Sequence, residues 1–170
     1  MAFTRIGITA PRDGLSPHQI QALTSALMLA VTDGATHFHH GDCVGGDAEG
    51  ARVAKALGMR LVCHPPTNPK LRAYVPSDET RPAKGYLERD RELVNELAVG
   101  NGALLGFPRL PEVPRGSGTW YTVHYARHKQ VPLLCVTPDG MVIDHYKAES
   151  LSPFPAKTAL TTESRIGVQG

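Results

Sequence analysis

Cysteine is scarce in this 170-residue chain: Cys43, Cys63 and Cys135 are odd in number and widely scattered. That excludes a disulfide scaffold and gives no Cys-x-x-Cys spacing for metal or redox work, so a reduced, cytoplasmic setting is expected. Aromatics are few, at 6% with a single tryptophan, and no aromatic-basic surface of the kind that stacks single-stranded DNA is visible. A dominant sign of charge is missing too. Eighteen Lys and Arg against sixteen Asp and Glu leave a net charge of +2 with no basic run, so nucleic acid is not an expected partner. No apolar stretch approaches the roughly 18 residues of a membrane span, and residues 1–5 lead into a strand without a signal-like n-region. A soluble protein without membrane contact is expected.

What remains is an ordinary globular composition, 41% apolar and 20% charged, and long enough to bury a real core as one domain. Strand-like and helix-like segments alternate. Residues 5–9 read as a strand, and Ser16-Pro17-His18-Gln19 opens a helix with Ser as N-cap, Pro at the first position and Gln at the third. Residues 35–40 form a second strand and 47–57 a second helix, followed by a third strand at 59–64. Residues 65–84 show no period, and a structureless connection of that length reads as a binding loop, with Arg72, Tyr74 and Arg81 available to fold over a ligand. Residues 86–98 return to helix, 103–107 to strand, 120–129 to helix and 131–136 to strand. Residues 141–145 would add an edge strand across Pro138-Asp139-Gly140. The alternation predicts an α/β fold: one doubly wound domain over residues 1–149, with a mainly parallel five-stranded sheet plus that edge strand. Residues 150–170 turn to Ser, Thr, Pro and Lys and read as a loose tail.

Two glycine-containing bends carry the chemistry. Pro114-Arg115-Gly116-Ser117-Gly118-Thr119 joins a strand to a helix, and so does Gly41-Asp42-Cys43-Val44-Gly45-Gly46-Asp47. Glycine lets backbone approach a ligand closely, and a helix beginning just beyond presents free N–H groups and partial positive charge to a phosphate. In a doubly wound sheet both bends, and the end of the first strand at Thr9 and Arg12, fall on the carboxyl edge where ligands bind.

Three segments together, His40-Gly41-Asp42-Cys43-Val44-Gly45-Gly46-Asp47, Arg89-Asp90-Arg91-Glu92-Leu93-Val94 and Arg115-Gly116-Ser117-Gly118-Thr119, resemble the Rossmann-like superfamily that joins the DprA/Smf proteins to the Lonely-guy phosphoribohydrolases, within it the YspA-like and YpsA-like branch. The resemblance covers residues 3–138. It implies a Rossmann-like nucleotide-binding fold and pairing into a homodimer. The Lonely-guy pattern is Pro-Gly-Gly-x-Gly-Thr-x-x-Glu; here Pro114, Gly116, Gly118 and Thr119 stand in place, Arg115 replaces a glycine and Thr122 stands at the glutamate. A threonine cannot serve as a carboxylate at neutral pH, so the phosphate site carries over better than the hydrolysis does.

The candidate ligand-binding residues are therefore Thr9, Arg12, Gly41, Asp42, Gly45, Gly46, Asp47, Arg91, Arg115, Gly116, Ser117, Gly118 and Thr119. Asp42 or Asp47 is expected to accept from a ribose hydroxyl, since acids there would repel a phosphate. Arg89 and Arg91, two apart on a helix, must face different ways; by the resemblance one of them would hold phosphate or base. If the chain is an enzyme, Glu88 with Arg89 as the catalytic pair, or an acid from Gly41–Asp47, would replace the missing glutamate. The cluster His37, His39, His40, Asp42 and Cys43 lacks a second half at zinc spacing, so neither a metal nor a cofactor is expected. Two functions follow: a sensor or sequestering protein for a nucleotide-derived ligand (a nucleoside monophosphate or an ADP-ribose-like molecule), or an N-glycosidase acting on nucleoside 5′-monophosphates.

Overall fold

Ser16 starts the first helix through a reciprocal cap: its hydroxyl accepts from the Gln19 N–H, and the Gln19 side chain accepts from the Ser16 N–H. Helix α1 then runs Pro17–Thr32 and buries Ala22, Leu23, Ala26, Leu27 and Ala30 at spacings of three and four. Gln19 is itself buried. Its amide donates to Pro108 O at 3.0 Å and Val136 O at 2.9 Å, so the cap also ties α1 to two strand ends.

The structure, a computed structural model, describes residues 2–110 and 116–153. Strands β1 (Arg5–Thr9), β2 (His37–His40), β3 (Arg60–Cys63), β4 (Glu79–Thr80), β5 (Gly102–Gly106), β6 (Leu133–Val136) and β7 (Val142–Tyr146) form one sheet in the order β4-β3-β2-β1-β5-β6-β7. All neighbours pair parallel except β6 and β7, which close as a hairpin. Helices α2 (Gly46–Ala56), α3 (Tyr86–Val99) and α4 (Gly118–His128) complete the fold. The sheet therefore has seven strands rather than the expected five. The edge strand at β7 is present, and the further strand, β4, is only two residues long, too short to carry an alternating pattern.

Alternate residues of the central strands feed two cores. Ile6, Ile8, Phe38 and Leu105 join α1 and α2 on one face, while Leu104, Leu133 and Cys135 join Leu93, Val94 and Leu97 of α3 and Val123 of α4 on the other. Ala148 and Leu151 are also buried in the first core, against α1, so the chain is packed to that point. The tail beyond residue 153 lies outside the described residues. The segment 65–84 pairs with the loop after β2, where Arg72 lies opposite Cys43, and runs beside β3, contributing β4 and a short 3-10 turn at Pro69–Leu71. No helix among the described residues is long and apolar enough to cross a membrane.

The chain leaves β1 toward β2 and later enters β5 on the other side of β1. The connections after β1 and β5 thus diverge, and the crevice between them lies at the carboxyl edge of the sheet. Replacing Gln19 with alanine removes both donors to Pro108 O and Val136 O and the cap acceptor. Urea unfolding should show a loss of roughly 2–4 kcal/mol, as expected for orphaned buried carbonyls; a loss no larger than that of a surface substitution contradicts the tie.

Candidate functional site

Gly41 follows β2 directly, and its missing side chain is the space through which Arg89 enters. A Cβ at Gly41 would stand 1.5 Å from Arg89 Nη1. That nitrogen instead donates to the Gly41 carbonyl at 2.5 Å. The guanidinium is almost fully enclosed, with 8% of the side chain exposed. Asp47 Oδ2 lies 3.8 Å from Nη1 and Asp90 Oδ1 3.1 Å from Nε. The Asp90 contact is an ion pair without hydrogen-bond alignment, so Arg89 Nε has no hydrogen-bonding partner, and neither does the buried Tyr86 hydroxyl nearby. Two donors without hydrogen-bond partners thus lie covered behind the wall of one cleft that both residues line.

That cleft, about 1140 Å³, occupies the crevice between the β1 and β5 connections. Thr9, Arg12, Gly41, Asp47, Arg89 and the Gly116-Ser117-Gly118-Thr119 bend all line it. The bend opens α4: Ser117 is the N-cap, its hydroxyl accepting from Trp120 N at 3.3 Å. Among the described residues no acceptor engages the N–H groups of Gly118 or Thr119. Two free amides and the positive end of an eleven-residue helix therefore face the hollow. Arg12 reaches the rim with its guanidinium 4.9 Å from the Tyr86 ring. Arg115 and Pro114 lie outside the described residues.

The other glycine bend works differently. Its amides are consumed by the protein: Gly41 N and Cys43 N donate to the Asp47 carboxylate, Val44 N to Leu71 O and Gly46 N to Pro11 O. Gly45, at φ +84°, brings its backbone so close to the first loop that a Cβ would meet Arg12 O at 2.3 Å. Gly45 and Gly46 thus pack one loop on another and do not line the cleft. Asp42 is fully buried; its carboxylate takes Arg72 Nε at 2.7 Å and Val75 N at 3.0 Å, leaving nothing for a ribose. Arg72 in turn stacks on Tyr74, and Arg81 binds Glu96 and Glu79, so none of the three reaches a ligand in the cleft.

Helical period sorts the charge run of α3. Tyr86, Arg89, Asp90 and Leu93 face the cleft, at spacings of three and four. Glu88 and Arg91 line a separate groove of about 570 Å³ on the opposite side of the helix. Glu88 is thereby removed from the hollow it was expected to serve. The carboxylate that α3 itself turns to the cleft is Asp90, across from Asp47. The spacing from Tyr86 was the available signal. The Thr122 hydroxyl, where the Lonely-guy pattern has its glutamate, shares its proton between Gly118 O at 2.9 Å and the Asp90 carboxylate. Burial raises the Asp90 pKa against the pull of Arg89 and Thr122. Burial likewise raises Asp47 to about 6, although Arg89 and the Gly41 and Cys43 amides oppose it. The Cys43 thiol, raised by burial and then by Asp47, is no nucleophile.

No protein-family model matches the chain, and no curated protein matches it in sequence. Solved structures do share its fold. A molybdenum cofactor binding protein from Rippkaea orientalis superposes with a TM-score of 0.57 at 18% identity, over 81% of this chain and 78% of that one. The molybdenum cofactor carrier protein of Chlamydomonas reinhardtii gives 0.52 at 18%, over 79% and 78%. The single-stranded-DNA-binding DNA processing protein A of Helicobacter pylori gives 0.51 at 18%, over 80% and 66%. At such identities the likeness is one of fold, and it matches the Rossmann-like architecture the motifs imply. A DNA-binding protein shares that architecture, so the fold lends no support to the expected absence of nucleic acid as a partner.

The Asp47 shift has a measurable consequence. Its folded value near 6 exceeds the ordinary 3.8, so the native state holds this proton more tightly than the unfolded chain does. The resulting stability is complete below the unfolded value and is lost as pH rises through about 6. Asp47→Asn cannot ionise and keeps an acceptor for the Gly41 amide. Urea titrations at successive pH values should show the variant gaining on the wild type as pH climbs from 4 toward 7; a constant difference contradicts the burial of Asp47.

Proposed function

We propose that the chain binds a phosphate-bearing, nucleotide-derived ligand in the carboxyl-edge cleft, as a sensor or sequestering protein. The observation that carries this reading is the pairing of the unengaged Gly118 and Thr119 amides with the unpartnered Arg89 Nε and Tyr86 hydroxyl around one hollow. The phosphate sits on the start of α4 with Ser117 and Arg12 beside it. The sugar and base lie toward Tyr86 and Arg89. By the sequence motif, Arg115 would add a second cation for the phosphate. Nucleoside monophosphates and ADP-ribose lead the candidates, and the molybdenum cofactor joins them because two proteins of the same fold bind or carry it. The wider reading places the protein in the YspA-like and YpsA-like branch, as a cytoplasmic homodimer.

Gly118→Pro tests the phosphate position without dismantling the helix. Proline is at home in the first helical turn, Ser117 already has the extended backbone that a following proline requires, and a Cβ at Gly118 meets nothing within 4 Å. Isothermal titration against the panel should find a ligand for the wild type. The variant, losing one charge-assisted hydrogen bond, should bind it roughly tenfold to a hundredfold more weakly at unchanged thermal stability. Absence of binding by the wild type to every member at millimolar concentration defeats the reading.

One observation favours the second reading, N-glycosidic cleavage of nucleoside monophosphates. Asp90 reaches from α3 to the hydroxyl of Thr122 and holds a raised pKa, the property of a carboxyl group that protonates a leaving base. Arg89 beside it would steady the carboxylate left after proton transfer. Free base released from AMP, CMP, GMP or their deoxy forms should then disappear in Asp90→Asn and persist in Glu88→Gln. Turnover that survives Asp90→Asn excludes this role.

A further inference from the structure

Behind α3, on the side away from the cleft, two buried histidines from neighbouring strand ends meet. His39 Nδ1 lies 3.0 Å from His64 Nε2, with the rings stacked and both side chains fully enclosed. His64 Nδ1 is 3.1 Å from Glu92 Oε2, His39 Nε2 is 3.2 Å from Arg5 Nη1, and Glu96 Oε2 stands 3.8 Å from His39 Nδ1. The end groups fix the tautomers. Arginine only donates and carboxylate only accepts, so donation runs from Arg5 to His39 to His64 to Glu92. His64 Nε2 is therefore a bare lone pair aimed at His39 Nδ1. Burial keeps both imidazoles neutral, lowering His39 to about 3.

We propose that His39 Nδ1, His64 Nε2 and a Glu96 carboxylate oxygen form a site for a divalent transition metal of the zinc class. The three ligand atoms lie within 4.8 Å of one another. Metal–nitrogen bonds of about 2.0–2.1 Å set neighbours in a tetrahedral shell roughly 3.3–3.4 Å apart. The two distances from His39 Nδ1, 3.0 Å to His64 Nε2 and 3.8 Å to Glu96 Oε2, stand on either side of that spacing. Glu92 on the far nitrogen of His64 is the outer carboxylate that holds a metal-bound histidine in orientation. Two imidazoles with one carboxylate suit zinc, cobalt or nickel, and suit neither the all-oxygen cations nor a thiolate-seeking ion. Glu96 opens on the groove of about 570 Å³, which supplies an entry path and room for a water as fourth ligand. The second buried cluster, His40, Asp42 and Cys63, is unsuited because both ring nitrogens of His40 are engaged, by Asp42 N and Ser77 Oγ, and Asp42 is held by a backbone amide as well as by Arg72.

Binding requires two internal exchanges, one at His39 and one at Glu96. The metal takes the place of the His39 Nδ1 proton, which moves to Nε2, and Arg5 swings from Nε2 into the groove it already lines. Glu96 keeps Arg81 through Oε1, which accepts from Arg81 Nε at 2.7 Å, while Oε2 gives up the bond it accepts from Arg81 Nη2 at 2.9 Å and turns to the ion. A metal here would pin α3 to β2 and β3 from the side opposite Arg89. Sequence spacing hid the site because its members come from β2, the end of β3 and the third turn of α3.

The full chain, stripped with EDTA, is titrated with Co2+ and followed by visible absorption and calorimetry, then challenged with Zn2+. One Co2+ per chain, a band of a low-coordinate ion and displacement by Zn2+ are expected. Glu96→Gln and His64→Asn should each weaken binding at least about tenfold, whereas Arg5→Gln, which releases His39 Nε2, should bind as tightly as the wild type or more so. Glu96 is partly exposed, so Glu96→Gln decides the matter wherever His64→Asn loses the fold. No one-to-one binding at micromolar metal, undiminished binding in Glu96→Gln, or weakened binding in Arg5→Gln overturns the site.

Discussion

Arg89 occupies a space that exists only because residue 41 has no side chain, and the cleft is organised around that intrusion. The guanidinium crosses from α3 to the loop after β2, bonds the Gly41 carbonyl and stands between Asp47 and Asp90. A buried cation needs such company, because removal from water without compensating charge is severely unfavourable. The two acids meet that need at a cost to themselves, visible as raised pKa values under burial. Asp47 also gathers the Gly41 and Cys43 amides, so the same carboxylate that balances Arg89 shapes the loop through which Arg89 enters.

Around this centre the cleft separates two kinds of polarity. On one wall the start of α4 offers amides and dipole with no acidic side chain in its first turn. On the other, Arg89 is nearly balanced by its acids. A ligand with phosphate at one end and a hydrogen-bonding, flat body at the other matches that division, with Tyr86 and Arg12 stacked at the rim between them. The helix end attracts the charge, and the Arg89 wall reads the rest.

The parts of this arrangement that were legible in the sequence are those whose causes are local. Ser16, Pro17 and Gln19 cap α1 through contacts within one turn, and the glycine bend ahead of α4 marks where that helix begins. The Gly41–Asp47 bend looked equivalent, yet its amides go to Pro11 O, Leu71 O and Asp47, two of these acceptors being far along the chain. Asp42 is withdrawn from a ribose by the same kind of distant contact, since Arg72 and Val75 reach it from a segment without a period. The choice of Glu88 over Asp90 is a different case. A charged helix turn shows both faces at once, and only the contact of α3 with the sheet reveals which face is inward.

Helix α3 consequently has two chemically distinct sides: one with Arg89 and Asp90 at the cleft, the other with Glu92 and Glu96 over the buried histidines. Its placement against β2 and β3 is what makes either side work. Amide NMR of the labelled chain during titration with a nucleoside monophosphate examines the cleft side most directly, since it reports both walls in one experiment. The account predicts that the Gly118 and Thr119 amides and the Arg89 Nε–H shift together and saturate with a single dissociation constant. Shifts confined to other surfaces, or Gly118 moving while Arg89 stays fixed at saturation, would contradict it.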